Sequence, residues 1–255
     1  KISQTRESEF YNQGSDSIVK QIDYQYDDKS QLISSTTVTS EGNTESTLLT
    51  YPYDHANEAV YNSMTLDNYL SFPITQKTFI DGSQTSKIKN EYKVVNIASS
   101  QNNPGGYIYN KDKVFKAKDN NSLEEVLDFD YDSNGNLYKL TENQIKTRFF
   151  IWGYNNKYPI ALIENATEQE LNTLLGGSSF AAYNESDLSS INSLRNSLPE
   201  ASINTYTYSP LIGPLEITNA QGKATTYYYD YLNRLKKIED DEGKIIEDYQ
   251  YNYKN

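Results

Sequence analysis

"YYYDYLNRLKKIEDDEGKIIEDYQYNY", residues 227–253, carries an aromatic at nearly every second place at both of its ends. Side chains two apart on a strand leave the same face of a sheet, so Tyr227/Tyr229 and Tyr249/Tyr251 each mark one side of a strand. Between them lie Asn233-Arg234-Leu235, then Ile238, the acidic turn Glu239-Asp240-Asp241-Glu242-Gly243, and Ile245-Ile246. Apolar positions alternating between Asp/Asn/Gly turns describe a β-hairpin followed by a second turn.

The same phrase recurs. Same-face aromatic pairs stand at Tyr24/Tyr26, Tyr51/Tyr53, Tyr107/Tyr109, Phe129/Tyr131, Phe150/Trp152 and Tyr206/Tyr208. Second members are 22 residues apart from Tyr109 to Tyr131, 21 from Tyr131 to Trp152, 21 from Tyr208 to Tyr229, and 22 from Tyr229 to Tyr251. A leucine follows six residues later at Tyr26–Leu32, Tyr131–Leu137 and Tyr229–Leu235. From Tyr208 to Leu215 the gap is seven, which predicts one inserted residue near Pro210. A fixed period just above twenty is an internal repeat. A lone hairpin cannot bury its apolar face, so the copies must pair edge to edge. Tyrosines then line up across strands, each aromatic pair adding about 0.2–1 kcal/mol. The tyrosines are read as a building unit rather than a binding face.

Composition agrees with this reading. Tyr occurs 24 times and Trp once in 255 residues, which suits half-exposed strands and argues against disorder. A net charge of −12, spread along the chain, argues against a nucleic-acid or anionic-membrane partner, since phosphate contacts need clustered Lys and Arg. With no cysteine there are no disulfides, thiolate metal sites or cysteine nucleophiles. The chain starts at Lys1 rather than Met and is expected to begin inside a longer precursor.

The fold expected is mainly β, with repeated antiparallel β-hairpins and a small two-helix insertion. Residues 1–106 read as degenerate hairpin repeats, with strands near Thr75–Ile80 and Lys87–Ile97, and 107–166 as regular ones. Residues 167–201 are the insertion and 202–255 the C-terminal repeats. Thr167-Glu168-Gln169-Glu170 has capping-box spacing ahead of Leu171, Leu174 and Leu175, and Leu188, Ile191, Leu194 and Leu198 recur at helical steps.

The stretches "FDYDSNGNLYKL" (129–140), "FIWGYNNKYPIALIENAT" (150–167) and 206–253 resemble the RHS, or YD-repeat, family, in particular the secreted RHS proteins of bacteria with type 9 secretion. The resemblance implies a spiralling hairpin sheet which in long members closes into a shell around a toxin or other cargo. It also implies a secreted or bacterial cell-surface location. The self-cleaving DPxGL-type phrase of toxin-bearing members is missing from this sequence, and 255 residues are few for a closed shell. The chain is therefore expected to be the C-terminal stretch of a longer protein. Its partners would be secretion translocon components, the remainder of its own chain, and a glycan or toxin cargo. The interaction is placed at the terminal edge, on Tyr249, Tyr251, Tyr253, Lys254 and Asn255, because an end strand offers free N–H and C=O groups.

Catalytic signals are weak, and neither a catalytic residue nor a cofactor nor a metal is expected. "DYDSNGN" (Asp130–Asn136) opens like a calcium loop, with Asp130, Asp132, Asn134 and Gly135 at suitable offsets. Its twelfth position is Thr141 rather than Glu, and the same residues make a hairpin turn. His55, the sole histidine, reads as a surface-loop residue, and no G-x-S-x-G phrase accompanies it. The 35 acidic residues offer too many pairs for any one to signal glycoside hydrolysis. A sugar-binding adhesin using exposed Tyr rows is the alternative to a scaffold.

Overall fold

The computed structural model describes residues 2–11, 16–39, 42–98, 105–176 and 183–251. Its sixteen strands form one open sheet whose order follows the chain without a crossover from β1 to β16. The strands are β1 (Gln4–Tyr11), β2 (Asp16–Tyr26), β3 (Leu32–Val38), β4 (Thr44–Thr50), β5 (Thr75–Ile80), β6 (Ser83–Asn96), β7 (Tyr107–Lys118) and β8 (Glu124–Tyr131). They continue with β9 (Leu137–Glu142), β10 (Lys146–Gly153), β11 (Tyr158–Glu164), β12 (Ser202–Ser209), β13 (Gly213–Thr218), β14 (Ala224–Tyr229), β15 (Leu235–Glu239) and β16 (Ile245–Asp248). Among the described residues three α-helices interrupt them: α1 (Ala59–Leu66), α2 (Glu168–Leu174) and α3 (Leu188–Ser197). No helix among the described residues is long and apolar enough to cross a membrane.

The chain divides into two compact units, Lys1–Val94 with Ile108–Asp128, and Val95–Tyr107 with Phe129–Asn255. In the first, Tyr51, Tyr61, Met64, Ile74, Tyr92 and Tyr109 are buried, with Tyr61 and Met64 one turn apart on α1. This helix falls in a stretch that sequence reading assigned to degenerate hairpins. It is only eight residues long and its Glu58 N-cap makes no side-chain bond, so neither length nor a cap announces it.

In the second unit the insertion forms the two helices expected. Thr167 Oγ1 accepts the Glu170 N–H at 3.2 Å, while a Glu170 carboxylate oxygen accepts the Thr167 N–H at 2.8 Å, closing the capping box. Leu171, Ile191 and Leu194 then pack on Phe149, Ile151, Ile160, Ala161, Ile163 and Ile203 from β10 to β12. Gly153 borders this core because a Cβ there would stand 2.7 Å from Ile160 Cγ2 and 3.1 Å from the Glu185 nitrogen. On the opposite face of β10, Phe150 sits across from Leu162.

On β10 and β11, Glu164 takes a 2.8 Å hydrogen bond from Arg148 and lies 3.0 Å from Lys146. These partners hold its carboxyl below the ordinary value of 4.5. A depressed carboxylate contributes stability above its unfolded pKa and loses it as pH falls through the folded one. Denaturation midpoints should therefore fall on acidification through the carboxylate range, and more gently in Glu164→Gln. An unchanged pH slope in that variant would remove the assignment.

Candidate functional site

The repeat is held by one device used again and again. At the end of six hairpins an aromatic N–H or O–H donates to a main-chain carbonyl at or just before the start of the hairpin's first strand. The bonds are Tyr26 to Ile2 (3.1 Å), Tyr51 to Leu32 (2.8 Å) and Trp152 Nε1 to Leu137 (2.8 Å). They continue with Tyr208 to Pro159 (3.0 Å), Tyr229 to Pro214 (2.9 Å) and Tyr251 to Leu235 (2.7 Å). Tyr92 reaches Pro73 more loosely, at 3.4 Å.

The accepting residues are set by bulges. The ladder slips by one residue at Tyr26, Trp152, Tyr208 and Tyr229, placing them opposite Leu32, Pro159, Pro214 and Leu235. A bulge disrupts the local ladder, and the next hairpin's aromatic caps the carbonyl it leaves. Each aromatic thus stands opposite the residue that the following aromatic clamps: Trp152 faces Pro159, which Tyr208 clamps, and Tyr208 faces Pro214, which Tyr229 clamps. The period in the sequence is the spacing of this relay.

Two register expectations change. Pro214, not Leu215, is the sixth-residue equivalent after Tyr208, so no residue is inserted near Pro210. The longer gap follows Trp152, whose opposite residue is Pro159, the seventh after it. Tyr107/Tyr109 opens β7 rather than closing an even-numbered strand, and the Tyr109 hydroxyl donates to Asp67 at 2.7 Å.

The turns repeat as faithfully. At Asp27, Thr39, Asp132, Asn219, Asp230 and Asp240 the residue's N–H donates to the carbonyl four residues on. Its own carbonyl accepts from the N–H three residues on, where φ is positive: Ser30, Gly42, Gly135, Gly222, Asn233 and Gly243. This is the three-residue hairpin loop closed by a left-handed residue. The Asx or Thr oxygen takes further backbone N–H groups, as Asp132 Oδ1 takes those of Asn134 (2.8 Å) and Asn136 (2.9 Å).

The residues of the candidate calcium loop serve the hairpin turn. Asp132 is buried and spends Oδ1 on its own turn, while Asp130 stands on β8 with Lys139 at 3.4 Å. Among the described residues no group of three or more His, Asp or Glu is placed to hold a metal. His55 ends a 3-10 turn, Pro52–His55, rather than lying free on a surface loop. Thr50 Oγ1 lies 2.9 Å from its Nε2, and Tyr61 meets its ring edge-on at 5.7 Å. Thr50 Oγ1 also accepts the Thr75 N–H at 3.2 Å and lies 2.6 Å from the Thr75 hydroxyl, so the network fastens β4 to β5.

Of the residues chosen for the terminal interaction, Tyr253, Lys254 and Asn255 lie outside the described residues. The last strand ends at Asp248, so Tyr249 and Tyr251 follow it rather than belong to it. Tyr249 still donates its N–H to Lys236 O at 2.9 Å, and its hydroxyl donates to Glu247, a hydrogen bond that raises the phenol pKa. Tyr251 is the clamp of the last hairpin, with the Arg234 guanidinium 4.0 Å from its ring centroid. The exposed apolar residues of this edge are Ile245 and Ile246, 54% and 55% accessible.

Trp152→Phe should cost about 1–3 kcal/mol in denaturant unfolding, because the Leu137 carbonyl loses its donor while the ring packing survives. Wild-type stability in that variant would mean that the clamp holds nothing.

No family model matches the sequence, and no curated protein does. Among solved structures the chain is similar to one in the crystal structure of TcdB2-TccC3-Cdc42, with TM-score 0.43, 9% identity, and coverage of 94% of this chain and 11% of that one. It is also similar to a chain of the Photorhabdus luminescens Tc holotoxin pore, with TM-score 0.38, 10% identity, and coverage of 88% and 12%. A third, from TcdB2-TccC3, gives TM-score 0.37, 13% identity, and coverage of 92% and 12%. The chain therefore spans roughly a tenth of the length of these chains.

Proposed function

We propose that this chain is a non-enzymatic structural segment of a secreted or surface-exposed RHS-type protein, its hairpins forming part of a longer wall. The observation that carries the reading is the clamp. The closing aromatics spend their hydroxyls or indole N–H on the first strand of their own hairpin, at the residue paired with the aromatic of the hairpin before, which is what a repeating frame requires and a sugar-stacking surface does not. The exposed β16 edge, with Ile245 and Ile246, is where a further hairpin of the same kind would add by strand pairing. Toxin or other cargo inside the completed wall, and delivery through a translocon, extend this reading to the whole protein.

The test of export is deletion of residues 249–255 in the host. Retention inside the cell is expected if this end is the address, and normal secretion of the shortened chain would discard it. Glycan arrays test the adhesin alternative, which needs hits that vanish in Tyr249→Ala without loss of folding. Tyr249 is suited to that test because it belongs to the Tyr249/Tyr251 pair and is exposed.

A further inference from the structure

An open cleft of about 610 Å³ lies between the C-terminal half of α3 and the β13–β14 hairpin, lined among others by Asn192, Arg195, Asn196, Glu216, Thr218 and Gln221. Arg195 is the cation at its wall. Its Nη2 donates to the carbonyl of Ile203 at 2.8 Å and more weakly to Thr218 O at 3.4 Å, and Nη1 donates to Asn192 Oδ1 at 2.5 Å. Nε is buried and has no acceptor among the described residues.

The other half-buried arginines of this unit differ. Arg148 pairs with Glu164 at 2.8 Å and Arg234 with Asp230 at 2.6 Å. Among the described residues no carboxylate lies within 4.0 Å of Arg195. Partial burial disfavours its charged form, and a half-buried cation without a counter-charge is costly to keep. In a chain of net charge −12, a nearby carboxylate would have been easy to supply.

Asn192 adds a second donor. Its Oδ1 accepts both from Arg195 and from Thr205 Oγ1 at 2.8 Å, which fixes the amide so that its N–H pair turns away from both. A guanidinium beside amide donors matches the planar, two-oxygen geometry of a carboxylate and also accommodates phosphate.

We propose that this cleft binds a small oxyanion, a carboxylate or phosphate group, which supplies the counter-charge that Arg195 lacks. The proposal is independent of the scaffold reading. Glu216, on the facing wall, sets the affinity: its negative charge repels the ligand, and its removal tightens binding.

The experiment is an NMR titration of the ¹⁵N-labelled chain with sodium acetate and, separately, inorganic phosphate, against sodium chloride at equal ionic strength. Saturable shifts of the Arg195 Nε–H and Asn192 side-chain amide are expected with acetate, phosphate or both, and the stronger of the two identifies the group. Glu216→Gln should lower Kd about three- to tenfold, and Arg195→Gln should abolish saturation. Shifts that grow linearly and equally with chloride overturn the proposal, as does a Kd unmoved by Glu216→Gln. If Arg195→Gln fails to fold, the Glu216→Gln comparison still decides, since Gln keeps the oxygen that accepts from Thr218 Oγ1 at 3.3 Å.

Discussion

Phe149→Ala should lower the unfolding free energy by about 3–5 kcal/mol, measured by denaturant titration. Phe149 is 1% exposed and sits where β10 meets Leu171, Ile191 and Leu194 from the helices, so deletion of its ring leaves a cavity that strand and helix backbones cannot close. Phe150, one residue on, faces the other way and is only partly covered, so Phe150→Ala should cost about half as much. Equal losses would mean that α2 and α3 do not rest on the face assigned to them.

Tyr229→Asp should cost about 3 kcal/mol or more, for three reasons that act together. It removes the donor to Pro214 O, strips the ring from a half-buried rung, and sets a carboxylate against carbonyl oxygens. Tyr229 is also closely fitted, since a Cβ on Gly213 would collide with its hydroxyl. Lys236→Glu, at an exposed position on the next strand, should shift stability by less than about 0.5 kcal/mol. A circular-dichroism melt of each variant distinguishes them, and comparable losses would contradict the register of β14 against β15.

Much of this was legible before any coordinates. The Asp/Asn–x–x–Gly/Asn turns declare themselves because only a few residues tolerate the left-handed fourth position. Asp132, Asn219, Asp230 and Asp240 each head such a turn. The helical insertion was visible from its capping box and leucine spacing. Helix α1 was not, because its buried face is two residues, Tyr61 and Met64, and short helices form through packing rather than propensity. His55 looked like a loop residue because its partners, Thr50 and Tyr61, are recruited by the 3-10 turn and α1.

The candidate interaction residues show the same division. Tyr249 and Tyr251 were readable as a same-face pair, but sequence could not say that one closes the last hairpin and that both follow the final strand. Nor could it show that Trp152 does the work of a tyrosine, since what the indole shares with a phenol is only a donor at the right distance from Leu137 O.

Alternation and turn chemistry are local properties, written within a few residues, and so the amino-acid order alone determined that the chain is a series of antiparallel hairpins of common length. Which carbonyl each aromatic caps depends on residues brought together from 15 to 49 positions apart, and which face the helices cover is likewise a matter of tertiary packing. Only the pairing of strands, with its bulges, settles those distances.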